Sequence, residues 1–328
     1  MRRLRQFAKL WAHSQILPAL ETGDDPLIGG QAVMEGVMMR TPQSYCVAVR
    51  RSDGEIVTQE KCAPKLSAKS KFWALPVIRG CGVIGQSMAL GMRALNYSTE
   101  QALESDAEAN AEEKSELPSW MVWLNIAISI GFFIVMYKFL PLLATQQLQQ
   151  LQPALDNQVG FSVVEGAIRL SIFLAFLFAI SRLKDIRRVF EFHGAEHKVV
   201  FNYESQKDLS VENAQSFVTW HPRCGTSFQM VVMVVAIAIY ALVPFEGFLA
   251  SFAARLALLP LIAGVSYEII RFAAKRQESV FALFVRPGLW LQRVTTQPPD
   301  NSQIEVSIVA LRKALEYEEH SGGQPVVA

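Results

Sequence analysis

Four stretches of this chain, residues 117–144, 160–183, 226–245 and 248–272, are apolar nearly throughout. A helix needs about 20 such residues to cross a bilayer, and each stretch reaches or exceeds that length. No fold in water hides four all-round apolar helices in a chain of 328 residues. The expected fold is therefore a mainly α membrane protein with four transmembrane helices in two hairpins. A small cytoplasmic β-containing N-terminal region and a C-terminal helix complete it. Hydrophobic residues make up 51% and charged residues only 19% of the chain, below the ~25% of an ordinary soluble domain. With a net charge of +1, bulk electrostatics give no support to a nucleic-acid partner.

Lys and Arg placement sets the orientation. Arg182, Lys184, Arg187 and Arg188 follow the second block, Arg271, Lys275 and Arg276 follow the fourth, and Arg2, Arg3, Arg5 and Lys9 open the chain. The connection 142–160 has no Lys or Arg. Both termini and the loop before the third span are expected in the cytoplasm, and the protein in the cell (inner) membrane. Trp120 and Trp123 suit the membrane interface. Arg169 and Arg255 fall toward the outer side and must snorkel, or pair with Glu165 or Glu246. No signal peptide is visible. All four cysteines, Cys46, Cys62, Cys81 and Cys224, are expected on the reducing side, so no disulfide framework is expected.

The chain divides into 1–116, a cytoplasmic region, then 117–183, the first helix pair. A cytoplasmic loop, 184–225, leads to 226–272, the second pair, and 273–328 is a cytoplasmic C-terminal segment. Within the first region, "YCVAVRRSDGEIVTQEKC" alternates on both sides of "SDGE", a hairpin signal. Gly29, Gly30 and Gly36 in "GGQAVMEG" indicate unusual backbone angles or a close approach. Residues 71–97 suit a helix on the membrane surface or docked against the spans, and the acidic stretch 100–116 suits a solvated linker. "GLWLQRVTTQPPD" suits an apolar turn and a loop. In "NSQIEVSIVALRKALEYEE", Ile304, Ile308, Leu311 and Leu315 share one helical face.

The chemistry concentrates in "FHGAEHKVVFNYE". His193 and His197, at i and i+4, place two imidazoles on one face about 6 Å apart. "HGAEH" matches H-x-x-E-H, the inverse of a zinc-protease signature, in which the glutamate takes a proton from water. Glu196 is then the base. Glu204 lies about 10 Å further along a straight helix and cannot share the ion. His221, in the turn "WHPRCGTSF", is the candidate third ligand, and Cys224 is a fourth ligand or a nucleophile. Glu35 is a further candidate at the metal or substrate, and Glu268 an ionisable group inside a span. Each has a plainer explanation: amphipathic anchoring for the histidines, a buried small thiol for Cys224, a hydrogen-bonded turn for Glu35, a helix cap near Arg271 for Glu268.

"GGQAVMEGVMMRTP", "FHGAEHKVV", "NYE", "HPRCGTSF", "GVSYE" and "GLWLQRVTTQPP" together resemble the YqhQ-like bacterial membrane proteins, over residues 28–314. That resemblance implies membrane location and a suspected metal, and no established reaction. Two functions remain open. One is a metal-dependent hydrolase at the cytoplasmic face, with His193, His197 and His221 on a divalent ion, zinc or alternatively iron, and Glu196, Glu35 or Cys224 completing the catalytic set. The other is a non-enzymatic partner of translocation or envelope machinery, with a structural metal or histidine cluster. The lipid bilayer, and other membrane proteins, are the expected partners.

Overall fold

A computed structural model describes residues 28–63, 75–110, 119–221, 224–243, 247–275 and 282–320. The expected basic N-terminal segment, the side chain of Trp123, Glu246 and Arg276 lie outside the described residues.

The N-terminal region is a four-stranded antiparallel meander, β1 (Gly29–Val33), β2 (Gly36–Arg40), β3 (Ser44–Arg50) and β4 (Ile56–Cys62), in the order β1-β2-β3-β4. The β3–β4 pair is the hairpin that alternation around "SDGE" foretells, in register from Ser44↔Cys62 to Arg50↔Ile56. The glycine-rich stretch is a second hairpin. Its turn places Glu35 at φ 53°, and the Arg50 N–H caps it through the Glu35 carbonyl at 2.9 Å.

Both faces of this sheet are covered. Val33, Met38, Tyr45, Val47 and Val49 pack with Leu90 and Ala94 of α1 (Ile78–Asn110). Val37, Met39 and Ala48 pack with α5 (Lys184–Glu204) and α11 (Asn301–His320). The face of α11 expected to be apolar is the buried one: Ile304 and Leu311 are fully buried and Ile308 nearly so. Each such side chain contributes roughly 1.5–3 kcal/mol of burial. These contacts anchor α5, which carries the histidines, to a fixed platform.

The apolar blocks form α2 (Ser119–Ile134), a π-helical turn at Val135–Phe139, α3 (Leu140–Leu151), α4 (Gln158–Ile180), α7 (Gly225–Leu242), α8 (Phe248–Ala257) and α9 (Leu259–Lys275). Among the described residues, three helices, Ala127–Leu151, Gln158–Ile180 and Gly225–Leu242, are long and apolar enough to cross a membrane. A fourth, Phe248–Ala257 with Leu259–Phe272, passes only as a pair bent by 46°. Leu124, Ile128, Ile130, Phe132, Val163, Phe178 and Val234 are exposed on this bundle, as a lipid-facing surface requires and a water-facing one does not. The second pair folds back on itself as expected, Val231, Val235, Ala236 and Tyr240 of α7 meeting Ile262 of α9.

Three expectations need correction. The acidic stretch is not a linker up to residue 110, because α1 continues through Glu100 and Glu104 to Asn110. "GLWLQRV" is not a turn: it is the end of α10 (Ala282–Thr295), which crosses α7 where Gly288 meets Ser227. Glu268 does not cap its helix near Arg271. It binds Arg79 of α1, whose Nε donates to Oε1 at 2.6 Å, and it accepts from the Val77 N–H at 3.3 Å. That contact, with Cys81 Sγ on the Pro260 carbonyl at 3.1 Å, docks the start of α1 against α9.

Candidate metal centre

Helix α5 begins just after α4 and runs under the sheet. Its histidines are aimed from behind. Nδ1 of His193 donates to the Thr295 carbonyl at 2.8 Å and Nδ1 of His197 to the Thr219 carbonyl at 2.5 Å. A carbonyl only accepts, so each ring carries its proton on Nδ1 and presents a bare Nε2. Carbonyls placed behind histidines in this way fix the ligand tautomer in metal sites. The rings meet edge to face with centroids 4.4 Å apart.

Cys224 stands opposite them, at the N-cap of α7. Its Sγ lies 3.2 Å from His193 Nε2. Ligand atoms of His193, His197 and Cys224 all fall within 4.8 Å of one another. Nitrogen and sulfur on one tetrahedral zinc are about 3.5 Å apart, from bond lengths near 2.0 and 2.3 Å, so the donor set fits a thiophilic divalent ion with little movement. Burial raises the Cys224 thiol above its ordinary range. Without metal it is a neutral S–H, and binding an ion must release its proton.

The turn bearing Cys224 is fixed by a residue that sequence reasoning did not single out. Gln292 of α10 is fully buried. Its Oε1 accepts from the His221 N–H at 2.7 Å and its Nε2 donates to the His221 carbonyl at 2.9 Å. Lys198, next to the second histidine, donates to the carbonyls of Gln215 and Phe217 at 2.7 and 2.6 Å. It thereby ties α5 to the short helix α6 (Val211–Gln215) and to the segment after it that supplies Thr219. Gly194 lets the segment holding Thr295 approach: a Cβ there would overlap the Gln297 carbonyl oxygen. Its signal in the sequence was only a glycine inside a helix.

Glu196 is buried, i+3 from His193 and so on the adjoining surface of the helix. Burial pushes its carboxyl up to about 7; nearby His193 and the Gly30 N–H pull the other way. Gly30 sits directly against it, so close that a Cβ would be 3.1 Å from the carboxyl carbon. The glycine-rich hairpin does therefore pack on the histidine helix, and close approach, not a left-handed backbone, is what Gly30 provides.

The other candidates are placed differently. The His221 ring lies 5.6 Å from that of His197, centroid to centroid, but its Nε2 faces Glu204 Oε2 at 3.5 Å, and its atoms are not within the three-residue group. Burial lowers its pKa to about 4. Glu204 thus meets the third histidine, although it cannot meet the first two. The Glu35 carboxylate is gripped by the Arg188 guanidinium, with Nη2 to Oε2 at 2.6 Å.

The family model for "Protein of unknown function (DUF1385)" matches residues 75–317. "Uncharacterized protein YqhQ" of Bacillus subtilis (strain 168) is 33% identical over 300 residues, covering 89% of this chain and 93% of the relative. No solved structure matches. With one family model spanning most of the chain and a relative aligned over nearly the whole length of both, the chain belongs to the DUF1385 family.

Proposed function

We propose that this protein is a metal-dependent hydrolase of the inner membrane, working at the cytoplasmic face. On this reading the chain crosses the bilayer four times with both termini inside. Its support is the apolar surface of the helices and the Arg and Lys residues that follow the second and fourth apolar blocks, against a connection 142–160 that has none. A divalent ion, zinc by the mixed thiol and imidazole donors, is held by His193, His197 and Cys224. When bound it supplies Lewis acidity. Glu196 accepts and returns the proton at its carboxylate, which a value near neutrality suits. The Thr219 and Thr295 carbonyls hold both imidazoles in the ligand tautomer throughout.

The observation that carries the reading is the pairing of both Nδ1 atoms with backbone carbonyls while a thiol faces the Nε2 side. Three protein ligands leave a coordination position open, as catalytic zinc sites do and structural ones do not. A fourth protein ligand would favour the alternative, a non-enzymatic membrane protein with a structural metal. His221 is the nearest candidate for it, and its Nε2 is directed to Glu204. Metal analysis of protein purified with and without the Glu196→Gln change tests the assignment. The variant is expected to keep one equivalent of metal and lose hydrolysis of peptide-bond or lipid-ester substrates. Loss of the metal itself would make Glu196 a ligand and remove the proposed base.

A further inference from the structure

At the end of the bundle away from the histidines is a polar cavity of about 270 Å³. Gln146 and Gln149 from the end of α3, Asp156 from the turn after it, Gln158 from the start of α4, and Ser251 and Arg255 from α8 line it. On the membrane reading above, those helix ends stand at the level of the outer head groups. The inference rests on that part of the reading and is independent of the metal.

Arg255 is 3% exposed and links the cavity to a buried charge cluster. Its Nη2 donates to Glu165 Oε2 at 2.6 Å and its Nε to both Glu165 oxygens at 3.1 and 3.0 Å, while Nη1 donates to the Ser251 carbonyl at 3.2 Å. Arg169 shares the same carboxylate. Lys138, in the π-helical turn, donates to the Tyr240 hydroxyl at 3.0 Å. The Lys138 amine and the Arg169 and Arg255 guanidiniums stand 5.0 to 5.4 Å from the centre of the Tyr240 ring. Among the described residues, two guanidiniums thus share the one carboxylate of Glu165, with the Lys138 amine beside them at the Tyr240 hydroxyl. Excess charge at such depth is costly, and an anion against the cavity wall offsets it. A π-turn and a broken helix at this level are the irregularities that accompany ligand sites in membrane bundles.

The opposite charge is at the rim. Asp156 is exposed and accepts a long bond of 3.5 Å from Gln149 Nε2. Leu148, Leu151, Val159 and Leu249, neighbours in sequence of the lining residues, are exposed apolar side chains. A ligand that meets a buried guanidinium, a rim carboxylate and an apolar skirt carries a phosphate, an ammonium and hydrocarbon chains.

We infer that this cavity binds the head group of a zwitterionic phospholipid, with its phosphate at Arg255, its ammonium at Asp156 and its acyl chains along Leu148, Val159 and Leu249. The test is native mass spectrometry of the full-length protein in detergent with equimolar phosphatidylethanolamine and phosphatidylglycerol. Wild type is expected to retain phosphatidylethanolamine preferentially, and Asp156→Asn to lower the ratio by about threefold, the effect of a partly exposed ion pair. Gln146→Leu, which leaves the Glu165 cluster intact, is expected to weaken both lipids together. Equal retention of the two lipids by wild type, or an unchanged ratio in Asp156→Asn, would overturn the assignment. So would displacement of the bound lipid by soluble phosphoethanolamine at matched concentration, which would make the ligand a free solute. Carbonate extraction of membranes tests the membrane assignment separately, so failure of either is distinguishable.

Discussion

Two buried polar clusters among the described residues are built on opposite plans. Between the apolar helices, Glu165 is bonded directly by Arg169 and Arg255, so the side chains satisfy one another. At the other cluster, His193 and His197 are satisfied from behind by backbone carbonyls, and their remaining nitrogens point toward each other and a thiol. Burying polar groups is costly unless they find partners. The first cluster finds its hydrogen bonds within the chain and leaves only a surplus positive charge toward the cavity beside it. The second spends its hydrogen bonds on orientation and leaves its acceptor atoms converging on one point. That difference, more than the presence of histidine, marks the second as a place for an added ion.

The largest expected effect breaks the convergent cluster. His197→Ala or Cys224→Ser should lower bound metal from one equivalent to near zero, read by elemental analysis, with the helical circular-dichroism signal retained. Metal retained by both variants would mean that the ligands are elsewhere. The matching change in the self-paired cluster is Glu165→Gln. It leaves two guanidiniums without their carboxylate and should destabilise the protein by about 3–5 kcal/mol in denaturant melts. Metal content per folded molecule should not change. A mild effect there would remove the contrast between the clusters.

Acid should separate them further in metal-free protein. Burial holds His197 well below its ordinary pKa, and His221 at about 4. An unfolded histidine binds its proton near 6.5, so the unfolded state takes up protons first. Stability from these two groups is present above about 6.5 and is lost as pH falls toward 4. Glu196 acts in reverse. With its carboxyl near 7 when folded and 4.5 when not, its contribution is present below 4.5 and is lost as pH rises to about 7. Glu196→Gln should therefore steepen the loss of stability on acidification from pH 6.5 to 4.5. An unchanged slope would contradict the burial of this carboxyl.

Smaller effects grade the supports. Gln292→Leu removes the side-chain bonds to both backbone groups of His221 and should weaken metal binding by about 10–100-fold, the range for groups that hold ligands in place. Glu35→Ala removes an exposed contact with Arg188 whose side chains are 32% and 46% accessible. It should cost at most about 1 kcal/mol and leave metal affinity unchanged, as measured by competition with a chelating dye.

Much of this was legible in the residues. The i, i+4 histidines, the hairpin around "SDGE", the apolar blocks and the face of α11 all follow from local periodicity, and local periodicity survives folding. Arg169 and Arg255, expected to snorkel or pair, are paired through Glu165, because a buried carboxylate lay within reach on α4. What could not be read is non-local. Cys224, and not the nearer-looking His221, joins the histidine pair because Gln292, far along the chain, grips the backbone of the turn. The register of the β1–β2 hairpin could not be read, because its turn is Met34–Glu35, without the Asn or Gly that fixes the place of such turns. The helical state of residues 100–110 was obscured by their charge, which argues for solvent but does not argue against a helix.

The central claim is that one ion sits between two imidazoles and one thiolate with a position left open. X-ray absorption at the metal edge of the purified protein tests it most directly. One sulfur at about 2.3 Å and two imidazole nitrogens at about 2.0–2.1 Å are expected, with one further light atom that changes on adding a small anion. A shell without sulfur, a shell closed by four protein donors, or protein that binds no metal would contradict it.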